Sequence, residues 1–209
     1  MTLKKRLALI ILVFAVQSLY IPINRTLQSG FIFSTHLDPF VPLWPIWVVP
    51  YMLVMGWWIV GGVWMAVKME ETLYRAFIIA ALSVTLTALG FFVFFPTCIE
   101  RPALVGTDWA TELLRYLYTH DRIYNAFPSG HVYLTTLFGL FWARWFPRQQ
   151  WLWVSIVVVV TLSTLFTRQH YLPDAIGGLV LAWLGYCLGF WWVSRRNAQP
   201  WAAKAQSSF

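Results

Sequence analysis

The sequence predicts an all-α, polytopic membrane protein: a six-transmembrane-helix bundle in a single domain over residues 1–209, with a short amphipathic interfacial helix between the third and fourth spans. Three observations predict it. Of the 209 residues, 59% are hydrophobic and 11% charged, against roughly half and a quarter in soluble domains. The 14 Trp, 16 Phe and 9 Tyr belong to the aromatic class that collects where a bilayer meets water. The apolar residues also fall in six runs close to the roughly 20 residues that cross a hydrocarbon core. A soluble core of this length could not hide so much apolar surface.

Lys4-Lys5-Arg6 and the apolar run to Ile23 have the outline of a secretion signal. The run is long enough to span, no small-x-small cleavage site closes it, and further spans follow, so 4–23 reads as the first helix. The second, 43–67, opens on Pro42, Pro45 and Pro50 and is expected to be kinked or partly re-entrant at its start. The third covers 73–95. The fourth and fifth, 130–146 and 150–167, are short, and Pro147-Arg148 marks the tight turn between them; the sixth is 175–193.

Two outer loops are long. Residues 24–42 carry His36 and Asp38. Within 96–128, Trp109, Leu113, Leu114 and Leu117 recur at roughly helical spacing between Asp108 and Tyr118. That pattern suits a helix lying at the membrane surface, and equally a loop helix packed on the protein with no lipid role.

The net charge of +7 follows topology and does not point to nucleic acid: the cations sit at the ends of apolar runs, and no separate domain carries a basic stripe. With the N-terminus in the cytoplasm, Lys4, Lys5, Arg6, Lys68, Arg75, Arg144, Arg148, Arg195, Arg196 and Lys204 lie inside. Arg25, Arg101, Arg115, Arg122 and Arg168 lie outside, as the positive-inside rule asks. Both termini are then cytoplasmic. Cys98 and Cys187 fall in a loop and inside a span, which argues against a disulfide framework.

Three segments place ionisable groups at one membrane depth: Glu100-Arg101-Pro102, Pro128-Ser129-Gly130-His131, and Arg168-Gln169-His170-Tyr171-Leu172-Pro173-Asp174. Such groups are functional candidates by default. A helix opening on Pro128-Ser129-Gly130 offers free backbone N–H groups at a positive dipole end, which suits an anion. The forks of Arg101 and Arg168 match phosphate oxygens. His131 and His170 can trade protons near neutral pH, and a histidine can act as nucleophile. Asp174, four residues after His170, can hold the proton on one ring nitrogen and leave the other free. Two arginines and a helix end supply the charge neutralisation phosphoryl transfer needs without metal or cofactor. Taken singly, each residue also has a structural reading: a satisfied histidine at a helix end, an Arg168–Asp174 ion pair, or Arg101 snorkelling to headgroups. His36, His120, Asp108 and Asp121 read as surface or loop residues.

PSGH opening an apolar helix, and HxxxD after the next, resemble the second and third signature motifs of the type-2 phosphatidate phosphatase superfamily, with Arg101-Pro102 similar to the end of the first. The resemblance covers roughly 95–190. It implies a six-helix bundle that removes or transfers lipid phosphate at one membrane face, without metal, through a phosphohistidine. It further implies His170 as nucleophile, Asp174 as its partner, His131 as acid/base, and Ser129, Gly130 and Arg101 as phosphate ligands. Two positions depart from the family pattern. Phe94 stands where a lysine usually opens the first motif, and Thr164 where an arginine usually precedes the third, the nearest cation being Arg168. TRQHYLPD, and more weakly the stretch from Asp38 to Pro45, resemble the branch with inositol phosphoceramide and sphingomyelin synthases, which transfer a phospho-headgroup to an alcohol.

The leading expectation is therefore a lipid phosphatase acting at the outer face on a polyprenyl diphosphate or phosphorylated glycerolipid. A lipid phosphotransferase is the enzyme alternative. A non-catalytic lipid-binding or transport protein is the third, although transport would place ionisable groups at mid-membrane.

Overall fold

The computed structural model describes residues 1–206, with side chains as far as Arg196; the side chain of Lys204 and residues 207–209 lie outside the described residues. The chain is mostly helical: α1 (Leu3–Ser18), α2 (Tyr20–Thr26), α3 (Val48–Lys68), α4 (Glu71–Phe94), α5 (Trp109–His120), α6 (Gly130–Trp145), α7 (Gln150–Phe166) and α8 (Leu172–Gln206). Five segments are long and apolar enough to cross a membrane: Leu3–Thr26, Pro45–Lys68, Glu71–Phe94, Pro147–Phe166 and Leu172–Arg196. This is a multi-pass membrane protein.

Local chemistry explains where the helices break. The first segment is interrupted at Leu19 because Pro22 has no N–H for the Ser18 carbonyl and its ring crowds that turn. At the start of the second segment Pro45 opens a 3-10 turn over Pro45–Trp47, and Pro50 lies in the first turn of α3, where no intrahelical N–H bond is lost. The Glu70 carboxylate caps α4 by accepting the N–H groups of Thr72 and Leu73. At the same end of the bundle, Arg6 donates to the Met65 and Met69 carbonyls that close α3.

The bundle is built around α6. Its 16 residues rise about 24 Å, and it is shorter than each of the five candidate spans. Nine of them, from Val132 to Phe141, are buried between α4, α7 and α8. By contrast α1 buries only Ile10 and Val13, so most of its apolar surface is left for lipid. Helices α4 and α8 meet through small residues: a Cβ at Gly185 would run into Val84, and one at Gly189 into the Ala76 carbonyl. Close backbone approach through such positions is how helices associate where lipid is as apolar as the side chains.

The loops that follow α2 and α4 add a feature that an all-α reading misses. Phe31–Ile32 (β1) pairs in parallel with Thr97–Cys98 (β2), and Cys98 bridges to Tyr124. Two-residue strands carry no periodicity to read. The expected loop helix forms as α5, capped by the Asp108 carboxylate on the N–H groups of Ala110 and Thr111.

Candidate active site

The third motif is shaped by the end of α7. Arg168 N–H donates to the Leu165 carbonyl and Gln169 N–H to that of Thr164, the paired bonds of a Schellman stop. The motif turns on a left-handed residue, here Arg168 with φ 51°, a conformation that costs a side-chain-bearing residue about 1–2 kcal/mol. Such strain clusters at functional sites. The turn sends the Arg168 guanidinium to the Asp38 carbonyl at 2.7 Å and the Pro39 carbonyl at 3.4 Å.

Helix α8 then begins under two carboxylates, which suit its positive end. Asp174 accepts the Tyr171 N–H at 2.9 Å, reaching back like the acidic member of a capping box. The same oxygen lies 3.5 Å from His170 Nδ1. The contact is too misaligned to count as a hydrogen bond, and Nδ1 is buried without a partner. Among the described residues Asp174 pairs with His170 and not with Arg168. Asp38 accepts the Leu172 N–H at 2.7 Å, and its other oxygen accepts the Thr35 N–H and hydroxyl at 2.6 and 2.8 Å. Asp38, expected only as a loop residue, is thus buried and latches the loop between α2 and α3 to the third motif.

The second motif docks against it. Ser129 caps α6, its Oγ accepting the Val132 N–H, and its own N–H donates to the Asp174 carbonyl at 3.0 Å. The N–H groups of Gly130 and His131, in the first turn, have no intrahelical acceptor. The two helix starts come this close because Gly177 and Gly178 face them: a Cβ at Gly177 would strike the Phe127 ring, and one at Gly178 would lie 3.0 Å from the Ser129 carbonyl. His131 stacks on Tyr51 of α3, ring centroids 3.9 Å apart, and lies within electrostatic reach of His170. Its Nε2 is buried without a hydrogen-bond partner.

Arg101 closes the site from the first motif, and its fork is largely used by the protein. It donates to the carbonyls of Tyr118, Asp121 and Arg122 and, at 2.6 Å, to Gln169 Oε1. A cation suits those carbonyls at the end of α5, and the guanidinium also lies over the Tyr118 ring. Burial pushes the Tyr118 hydroxyl up to about 12. The Asp121 carboxyl is also raised by burial, against the opposing pull of the Tyr20 hydroxyl and the Arg101 charge.

The two positions that depart from the family pattern carry no charge themselves. Phe94 is 88% exposed, and Thr164 is buried, its hydroxyl turned to the Thr161 carbonyl. Among the described residues no cluster of His, Cys, Asp or Glu is arranged to hold a metal ion. The residues a sequence reading passes over are Asp38, Tyr51, Asp121 and Gln169. Only Asp38, in its proline-rich stretch, carried a signal.

Eleven buried side-chain polar atoms lack a hydrogen-bond partner among the described residues, and six of them sit on Arg101, His131, Arg168, Gln169, His170 and Asp174. Buried orphans are uncommon and each asks for an explanation. Most are donors or imidazole nitrogens, the complement of an anion.

A family model described as the PAP2 superfamily matches residues 45–188. The chain is similar to the inositol phosphorylceramide synthase catalytic subunit of Schizosaccharomyces pombe, 31% identical over 80 residues, covering 38% of this chain and 18% of that protein. It is also similar to the inositol phosphorylceramide synthase of Candida albicans, 37% identical over 60 residues, covering 29% and 13%. The Saccharomyces cerevisiae catalytic subunit is 34% identical over 62 residues, covering 30% and 16%. These matches span less than a fifth of each relative's length. No solved structure matches. The chain belongs to the PAP2 superfamily of membrane lipid phosphatases and phosphotransferases.

Proposed function

We propose that this protein moves the phosphate-bearing headgroup of a membrane lipid to an alcohol acceptor in two displacements through a phosphohistidine on His170. The observation that carries the reading is the cluster of unpartnered buried atoms on the three motif segments. His170 turns Nδ1 toward Asp174, leaving Nε2 to attack phosphorus. The phosphorus–oxygen bond to the leaving group breaks as His131 delivers a proton to that oxygen. His131, now neutral, then takes the proton of the incoming hydroxyl, whose oxygen attacks phosphorus and releases His170. The first-turn N–H groups of Gly130 and His131, with the cations of Arg101 and Arg168, offset the charge spread over the phosphoryl oxygens.

Alcohol is favoured as acceptor by the three matched synthases and by the position of the third-motif cation at Arg168. Water is the second reading, favoured by the phosphatases of the same superfamily. The setting is one domain of six spans, with α6 as the short fourth one and α5 lying at the outer interface, where Trp109 exposes its ring. The N-terminus is cytoplasmic and the site faces outward, because most cations gather at the other membrane face. The test is product analysis with labelled phospholipid, with and without a lipid alcohol, in purified protein and in His170→Ala. A new phospholipid that needs both the alcohol and His170 supports transfer, and free phosphate or phospho-headgroup supports hydrolysis. Products unchanged in His170→Ala would refute both.

A further inference from the structure

We infer that Gln169 is a donor to the phosphate oxygens of this site, with its amide aimed by Arg101; the inference rests on the reading of the site given above. Gln169 is 3% exposed and immediately precedes His170 in the turn that ends α7. Its orientation is not arbitrary. The Arg101 guanidinium has only donors, so the atom it meets at 2.6 Å must be the amide oxygen. The NH2 group is thereby sent the other way, and Nε2 is buried with no hydrogen-bond partner. Arg101 Nε, on the other member of the same pair, is likewise buried and unpartnered.

A native fold rarely strands an amide donor in this way, because leaving it unpaired forfeits its full solvation. Here the stranded group belongs to a residue gripped on three sides: its oxygen by Arg101, its backbone N–H by the Thr164 carbonyl, and the next N–H, that of His170, by the same carbonyl. A rigid donor paired with a guanidinium, on the residue before His170, is matched by an anionic oxygen. Arg101 spends most of its fork on backbone carbonyls and Gln169. It therefore acts on the ligand chiefly through Nε and through the amide it orients.

Two substitutions separate donor from scaffold. Gln169→Glu keeps an oxygen for Arg101 and removes the donor. Gln169→Leu removes both. The probe is inorganic phosphate, read as a rise in melting temperature of the detergent-purified protein and as competitive inhibition of lipid turnover. In wild type, phosphate should raise the melting temperature. In Gln169→Leu the phosphate concentration needed should rise about 10- to 100-fold, the loss of one hydrogen bond to a charged group. Gln169→Glu should melt at or above wild type without phosphate and lose the phosphate response. Wild-type phosphate responses in both variants would overturn the role of Gln169 and leave the site reading standing. No phosphate effect in wild type itself would overturn the site reading and this inference together.

Discussion

Asp38 offers the sharpest mutational test, because one carboxylate holds the loop between α2 and α3 to the third-motif turn. It accepts three hydrogen bonds of 2.6 to 2.8 Å, from Thr35 N–H, Thr35 Oγ1 and Leu172 N–H, at a side chain that is 2% exposed. Asp38→Ala removes all three and leaves two backbone N–H groups without their acceptor. Bonds to a charged group contribute about 1.5–3 kcal/mol each, but they share one acceptor and do not add. Leaving two buried N–H groups unpaired costs about 1–3 kcal/mol each, so Asp38→Ala should cost about 2–5 kcal/mol, a large part of the roughly 5–15 kcal/mol that holds a typical domain folded. Asp38→Asn keeps one oxygen for Leu172 and opposes its NH2 to the Thr35 donors, so its cost should be about 1–3 kcal/mol. Thermal and denaturant melts in one detergent measure both. Turnover should fall in the same order, because Leu172 is two residues from His170. Asp38→Ala melting within about 0.5 kcal/mol of wild type, the range of a neutral surface change, would refute the latch.

Three further outcomes follow from the packing and electrostatics. Gly178→Ala, whose Cβ would press on Val132 and the Ser129 carbonyl, should lower turnover at least tenfold. Gly189→Ala, pressing on Ala76 in α4, should cost about 1–3 kcal/mol of stability and leave the kinetics of the folded fraction unchanged; equal effects of the two on turnover would contradict this. Tyr51→Leu should lose about 1 kcal/mol and slow turnover by unseating His131, whereas Tyr51→Phe keeps the stack and should match wild type in both assays. For Asp121, a carboxyl raised by burial loses folding stability as pH climbs from its unfolded value, about 3.9, through the folded one. Asp121→Asn keeps an acceptor for Tyr20 and does not titrate, so its melting temperature should gain on wild type from about pH 4 upward and then level off; parallel curves would contradict the shift.

The bundle and the three motif segments were legible because their signals are local. Apolar runs report spans, and PSGH and HxxxD report a helix start and one helical turn. What escaped reading depends on contacts between distant segments. Asp38 and Leu172 are bonded across 134 positions, and Tyr51 meets His131 only because α3 packs against α6. Asp121 lies in a loop that folds onto Tyr20, which polarity alone would place in water. Charge and spacing suggested Arg101 and Arg168 as phosphate partners, and what they could not show is that backbone carbonyls also accept from both guanidinium groups. The orientation of Gln169 could not be read at all without knowing which atom faces Arg101. Gly177, Gly178, Gly185 and Gly189 also went unread, because the close approach of α8 to its neighbours shows only once the helices are packed.

The central claim is that chemistry passes through His170. The most direct measurement is mass spectrometry of the wild-type protein, rapidly quenched at alkaline pH after mixing with lipid substrate and no alcohol acceptor. Without an acceptor for the second displacement, the phosphoenzyme should accumulate. Phosphate, with or without its headgroup, should then map to His170 as an acid-labile, base-stable adduct absent from His170→Ala. Turnover that persists in His170→Ala, or a phosphoryl group found on another residue, would contradict the account.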